Sequence, residues 1–219
     1  RKAMVPPFEV SVFADPSGAY TTAAAMVAKV EQALERAHSA GLEGRAVVVF
    51  GGTGPVGMVA AVLAARAGAR VTLPGHDGLA RAAEAVSALK ARFDVDIRPA
   101  DASSDDAKHA LLARAEVVLA TAKAGVQVLG ARHLEHAAAL CVAADINAVP
   151  PAGVEGIGFM DDGGALAAAS GKAVGVGPLA IGNLKYQVQQ GLLRSMLSAD
   201  KPLYLGFPDC LDEARRHAA

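Results

Sequence analysis

A Rossmann-type α/β fold, a doubly wound parallel sheet, is predicted by three features of the chain. β-branched runs alternate with helical segments from Arg45 onward, a glycine-rich turn joins the first run to the first helix, and aromatic residues make up only 4% of a chain rich in alanine and glycine. Alternation at this spacing is that of parallel strands joined by right-handed crossovers. With so few large rings, the core must close by near approach of helices to a sheet, which layered α/β packing supplies. The 219 residues, 53% of them hydrophobic, suffice for a full core. A net charge of −1 gives no electrostatic reason to bind nucleic acid, and no apolar stretch has membrane-spanning length. Two cysteines and no recognisable signal peptide point to a reducing, cytoplasmic setting.

Taken in order, residues 8–13 read as a strand. The stretch 21–40 places Met26, Val27, Val30, Leu34 and Ala37 on one helical face, so that face is expected to be buried. Ala46–Phe50 is the first strand of the main sheet. Further strands are expected at 70–73, 96–98, 116–120, 140–143 and 173–176, with helices near 55–67, 79–92, 104–114 and 133–136. Gly68 suits the cap of the first of these helices. Six strands match a doubly wound sheet, whose ligand lies beyond the carboxyl ends of the strands. That edge gathers the loops 51–57, 74–77, 121–125, 145–153 and 177–183. The stretch 163–171 reads as a surface loop with a helical turn. A long helix over 183–198 carries Leu184, Val188, Leu192, Leu193 and Met196 in one stripe. This helix and the one at 21–40 are expected to pack together, bridging a dinucleotide domain (41–180) to a second domain. Residues 1–20 read as a remnant of that second domain, and 181–219 as the other bridge with a tail. Arg1-Lys2-Ala3-Met4 reads as a basic helix end, so an N-terminal part is expected beyond this sequence.

The chemistry starts at Gly51-Gly52-Thr53-Gly54-Pro55-Val56-Gly57. Gly52, Gly54 and Gly57 fit G-x-G-x-x-G: one glycine for the tight turn, one for approach to pyrophosphate, one for helix-on-strand packing. Pro55 stands where a missing N–H costs nothing, and the helix start offers free N–H groups and its positive dipole end to phosphate. About twenty residues on, Pro74-Gly75-His76-Asp77-Gly78 holds the place that chooses between NAD and NADP. His76 can donate to a 2′-phosphate and Asp77 can accept from a ribose hydroxyl, so both cofactors stay open. The alternative is a solvated His76 and an Asp77 that caps the next helix. Thr121 stands on the same rim. Asp145 and Asn147, in Asp145-Ile146-Asn147-Ala148-Val149-Pro150-Pro151, face either the ligand or their own turn. Lys185 opens the last long helix and is the catalytic candidate, against the plainer reading of a solvated lysine. No metal site is expected: Cys141 and Cys210 lack ligand spacing, His133 and His136 read as a solvated face, and Asp105-Asp106 and Asp161-Asp162 as loop and cap residues. Neither a G-x-S-x-G elbow nor a Walker lysine is present.

Taken together, several motifs resemble the bacterial NAD(P)-dependent methylene-tetrahydromethanopterin dehydrogenases. They are Ala14-Asp15-Pro16-Ser17-Gly18 with Thr21-Thr22-Ala23-Ala24-Ala25, the glycine turn, Gly75-His76-Asp77-Gly78, the Asp145 to Pro151 stretch, and Gly182-Asn183-Leu184-Lys185. Gly-His-Asp-Gly resembles the branch linked to use of NAD as well as NADP, whereas an NADP-specific sister branch has Arg-Lys there. The resemblance implies oxidation of a methylene bridge on a tetrahydromethanopterin-type carrier to the methenyl form, within one-carbon metabolism and the formaldehyde oxidation of methylotrophy. It implies an N-terminal α/β domain facing the Rossmann domain, with roughly the first third of the family's length outside this sequence. It places Asp15, Ser17 and Thr21 beside the pterin, Asn147 and Lys185 around the cleft, and implies a homo-oligomer. Two alternatives remain: a methylene-tetrahydrofolate or shikimate-type dehydrogenase on the same plan, and a non-catalytic NAD(P)-binding module.

Overall fold

The computed structural model describes residues 4–218, so Arg1, Lys2 and Ala3, most of the expected basic helix end, lie outside the described residues. In chain order the elements are β1 (Val12–Phe13), α1 (Ala19–His38), β2 (Ala46–Phe50), α2 (Pro55–Arg66), β3 (Arg70–Gly75), α3 (Leu79–Phe93), β4 (Ile97–Asp101), α4 (Asp105–Leu112), β5 (Val117–Ala120), α5 (Ala131–Leu134), β6 (Val142–Asp145), β7 (Asp162–Ala165), β8 (Val174–Val176), α6 (Pro178–Ser198), β9 (Tyr204–Leu205) and α7 (Phe207–Ala218).

Strands run β4-β3-β2-β5-β6-β8-β7 across the main sheet, parallel except for the antiparallel edge pair β7–β8. Six parallel strands in this order, reversing direction of travel between β2 and β5, are the doubly wound arrangement. Val47-Val48-Val49-Phe50 is buried throughout because alternate side chains enter different layers. Val47 and Val49 join Val71, Leu73, Val117 and Leu119 under α1, α2 and α6. Val48 and Phe50 join Val118 and Ala143 under Leu112, Leu129 and Leu134 on the opposite face.

Helix α1 carries Ala23, Ala24, Ala25 and Ala28, all essentially solvent-free, so neighbouring helices approach its backbone closely. It packs on α2, α6 and α7, and the expected contact between the two long helices is present. Edge-to-face contacts of Phe207 with Tyr20 and Phe93, at 5.5 and 5.3 Å between centroids, tie α7 to α1 and α3. Strands β1 and β9 pair in parallel, joining the beginning of the described chain to its end. No helix among the described residues is long and apolar enough to cross a membrane.

Several sequence expectations are corrected. The strand expected at 8–13 is paired only over Val12–Phe13. The surface loop expected at 163–171 holds only from 166 on, with a turn at 169–170; Asp162–Ala165 form the antiparallel edge strand, a segment without β-branched residues. Asp161 lies in a loop, its carboxylate accepting from the Gly158 N–H at 2.6 Å, but Asp162 opens β7 rather than capping a helix and reaches Lys29 at 2.7 Å. The tail holds a full helix, α7, and α6 begins five residues before its expected start. Ser104, not Asp105 or Asp106, caps α4 by accepting from the Ala107 N–H. His133 is buried rather than solvated, with Nε2 2.9 Å from Asp105 and Nδ1 accepting from the Gly130 N–H.

At the amino edge of the sheet, Glu116 accepts from Arg45 at 2.7 Å and from the Ala46 N–H at 2.9 Å, stitching the entries of β2 and β5. Partial removal from water raises its carboxyl, but the Ala46 N–H, the Arg45 hydrogen bond and the charges of Arg45 and Arg70 outweigh that and hold it below the usual value. A depressed carboxyl stabilises the fold above its unfolded value and loses that contribution as pH falls through the folded value. Glu116→Gln should therefore lower the thermal midpoint near pH 7, and its deficit should shrink below about pH 4. Paired thermal melts at the two pH values check this.

Candidate active site

Helix α2 starts at the carboxyl end of the central strand, and the turn leading into it is shaped by contacts only glycine allows. Gly51 carries the positive φ, +73°, and a Cβ there would stand 2.5 Å from the Ala122 nitrogen. The tight-turn role expected of Gly52 therefore belongs to Gly51. Gly52 is instead required because a Cβ would meet Leu73 at 2.5 Å, and Gly57 because one would meet the Thr121 Oγ1 at 2.5 Å. Gly54 differs: a Cβ on it would meet only the Gly51 carbonyl oxygen, at an ordinary 3.4 Å. The space in front of Gly54 is open to a ligand rather than filled by the protein.

That space is a cavity of about 760 Å³ at the carboxyl edge, where the strand order reverses. Its floor is Phe50, Gly51, Thr53, Gly54, Pro55 and Val56; Pro74, His76, Ala102 and Ser103 line the side beyond β3 and β4; Thr121, Ala122, Lys123 and Ile146 line the side beyond β5 and β6. Val126, Gln127, Val128 and Lys108 complete the wall. No side chain caps the start of α2, so its first-turn N–H groups remain available to an anion at the cavity floor. Among the described residues that line the cavity there is no carboxylate, whereas Lys108, Lys123 and His76 supply basic groups.

The expected site residues divide into wall and support. Thr53, Gly54, Pro55, Val56, His76 and Thr121 reach the wall. Gly52 and Gly57 act from behind it by packing. Thr121 lines the cavity, but its hydroxyl donates to the Phe50 carbonyl at 2.8 Å. Asp77 is neither on the wall nor a helix cap: Gly78 takes the cap position, and the Asp77 carboxylate accepts from Arg81 at 3.2 Å. Asp145 and Asn147 are bound into their own turn. Asp145, 1% exposed, is the last residue of β6 and accepts from the N–H groups of Asn147, Gly153 and Val154. Burial pushes its carboxyl up in spite of these donors. Asn147 accepts from the Gly125 and Val149 N–H groups and donates to the Pro151 carbonyl, so it holds the 121–125 loop rather than facing the cavity.

Asp15, Ser17, Thr21 and Lys185 meet at the start of α1. Asp15 accepts from the Tyr20 and Thr21 N–H groups, from the Thr21 hydroxyl at 2.7 Å and from Gln189 of α6. Its carboxylate thus caps α1 and ties it to α6, and Thr21 is fully buried. Ser17 is exposed and left-handed, φ +52°, a conformation uncommon for a residue with a Cβ. Lys185 lies two turns into α6, not at its start, and its Nζ rests where a Cβ on Gly18 would be 2.6 Å away. Its ammonium pairs with no carboxylate among the described residues. Lys108, Lys123, Ser103 and Gln127 were not singled out by sequence. Lys123 falls within an expected rim loop, but nothing distinguishes Lys108 from an ordinary helical lysine.

The chain is 46% identical over 209 residues, 95% of its length and 70% of the relative's, to the NAD(P)-dependent methylenetetrahydromethanopterin dehydrogenase of Methylorubrum extorquens. It is 31% identical over 204 residues to the bifunctional protein MdtA of the same organism, covering 93% of this chain and 68% of that protein. No protein-family model matches. Among solved structures it resembles an L-alanine dehydrogenase, with a TM-score of 0.50 and 18% identity over 96% of this chain and 61% of that one. It also resembles the shikimate 5-dehydrogenase of Listeria monocytogenes, with a TM-score of 0.51 and 13% identity over 89% of this chain and 62% of that one. At these identities the structural likenesses speak for the fold alone.

Two glycine substitutions separate wall from support. Gly54→Ala should leave the thermal midpoint close to wild type yet weaken NAD(P) about tenfold or more in a fluorescence titration, because its Cβ takes ligand space. Gly57→Ala should cost about 1–3 kcal/mol of stability in urea unfolding, because Thr121 and the Gly51–Gly52 backbone must move. Equal loss of stability in both would contradict this division.

Proposed function

The chain belongs to the NAD(P)-dependent methylenetetrahydromethanopterin dehydrogenase family, and from that premise we propose that it oxidises the methylene bridge of a tetrahydromethanopterin-type carrier to the methenyl form by hydride transfer. The observation that carries the reading is the cavity at the switch point, floored by the glycine turn and the uncapped start of α2 and free of carboxylates among its described lining residues. The residues fit a dinucleotide: Gly54 leaves the space a pyrophosphate needs, and the first turn of α2 points N–H groups into it. NAD or NADP bound there supplies the hydride acceptor.

The chain's own tasks are to bind, orient and exclude water. Thr53, Gly54 and Val56 hold the phosphates through backbone groups, and His76 faces the adenosine ribose. Thr121 and Ile146 border the side where the nicotinamide belongs, on a loop kept in place by Asn147. Loss of hydride leaves a cation stabilised by the adjacent nitrogens of the substrate, so no general base is needed; the lack of a carboxylate on the described wall fits this. Lys185, in no ion pair among the described residues and set beside the Gly18 turn, is read as the side chain that meets the pterin or nicotinamide. Asp15 and Thr21 then act by positioning, and Ser17 is the exposed group of that turn. We take the β1–β9 pair with α1 and α6 as the hinge to a pterin-side domain. We place the enzyme in the cytoplasm, in keeping with Cys141 and Cys210, which are buried free thiols, and take it to be a homo-oligomer on the strength of the family resemblance alone.

The test is absorbance of reduced nicotinamide after methylene-tetrahydromethanopterin is mixed with NAD or NADP. Turnover with either supports the reading, whereas cofactor binding without turnover would overturn it in favour of a binding module. Lys185→Ala should lower kcat/KM about tenfold or more while leaving cofactor affinity unchanged. An unchanged kcat/KM would remove Lys185 from the site.

A further inference from the structure

Lys185 and Gln189 stand one helical turn apart on α6, so their side chains leave the same face of the helix, and both are half-buried. They meet the same turn before α1. The Lys185 Nζ rests against Gly18, 2.6 Å from where a Cβ would stand, and the Gln189 amide donates to the Asp15 carboxylate at 3.3 Å. Gly18 closes that turn by donating its N–H to the Asp15 carbonyl at 3.1 Å. An ammonium and an acid therefore attend one short turn, yet Lys185 is in no ion pair among the described residues.

The filling of the carboxylate accounts for this. An ionised carboxylate offers about four acceptor sites. Asp15 Oδ1 accepts from the Tyr20 N–H at 2.8 Å and the Thr21 N–H at 3.2 Å, and Oδ2 accepts from the Thr21 hydroxyl at 2.7 Å and from Gln189. Three of these donors belong to the first turn of α1 and cannot leave without uncapping that helix. Gln189 is the one donor from another element, and it comes from the helix that also carries Lys185. Without its amide, Oδ2 would keep an open site facing α6, and a charge-assisted bond to the lysine would be the strongest way to fill it.

Resting on the reading of Lys185 as the side chain that meets the pterin or nicotinamide, we propose that Gln189 is a positioning residue: by saturating Asp15 it keeps the Lys185 ammonium out of a salt bridge and free for the bound reactants. A neutral amide suits the task, because it satisfies the acid without attracting or repelling the lysine one turn away. A glutamate there would itself pair with Lys185 and repel Asp15.

The test is a set of double-variant cycles on the full chain, read as kcat/KM for the carrier, with cofactor affinity from fluorescence titration and folding from a thermal melt. Gln189→Met keeps the length of the side chain and its helix preference but removes the donor; Gln189→Ala repeats the measurement with a side chain too short to perturb packing. In the wild-type background Gln189→Met should lower kcat/KM about fivefold or more while NAD(P) affinity stays within about twofold. In a Lys185→Ala background it should cost less than about twofold, because the group it acts through is gone, and likewise in an Asp15→Asn background, because the captor has lost its charge. A merely structural Gln189 would cost the same in all three. Equal cost in all three, or no cost in the wild-type background, overturns the proposal and leaves the reading of Lys185 standing. Lys185→Ala with unchanged kcat/KM would instead bring down that reading, and the proposal with it.

Discussion

The architecture depends on how closely the first crossover turn can approach the loop after β5. With Gly57 bare, the Thr121 hydroxyl comes to where a Cβ would stand 2.5 Å away, and with Gly51 bare the Ala122 backbone does the same. Thr121 then spends its hydroxyl on the Phe50 carbonyl, locking the ends of β2 and β5 together. These are the two strands between which the sheet reverses order, so the contact that closes the core also opens the cavity above it. A side chain at either glycine would hold the strand ends apart and tilt the start of α2 away from the ligand.

Around that junction the polar groups are committed to backbone, which makes the wall rigid. Asp145 ends β6 and gathers three N–H groups from two segments of chain. Asn147 fixes Gly125, and Asp15 caps α1 and reaches α6. Withdrawing such carboxylates from water is tolerable only because each of their oxygens finds a donor. What stays uncommitted is informative: the first turn of α2, and Lys185 beside Gly18.

Much of the Rossmann frame was legible because its signals are local. A run such as Val47-Val48-Val49 buries both faces and can scarcely be anything but a central strand, and β2 was placed to the residue. β7 was missed because Asp162-Gly163-Gly164-Ala165 has no β-branched side chain; it is a strand only because β8 pairs with it and Lys29 holds Asp162. Helix α7 was missed because its apolar face, Phe207, Cys210, Leu211 and Ala214, is interrupted by charges that mean little until α1 and α6 are in place to cover it. Within the site, the glycine turn was readable from spacing, whereas Asp77, Asp145 and Asn147 were not separable into ligand-facing and turn-binding roles. That choice is made by tertiary partners, Arg81 in one case and the Gly125 and Gly153 N–H groups in the others.

The chemistry proposed for the cavity asks little of side chains as acids or bases and much of them as a frame. Hydride passes between two held carbons, and the nitrogens of the substrate absorb the charge left behind. The most direct measurement follows the hydrogen itself: turnover of a carrier whose methylene carbon bears two deuterons, with mass analysis of the reduced nicotinamide. The account predicts one deuteron on the nicotinamide ring for each methenyl product formed, with none exchanged into solvent. Reduced cofactor carrying only protium, with the deuterium released to water, would contradict it.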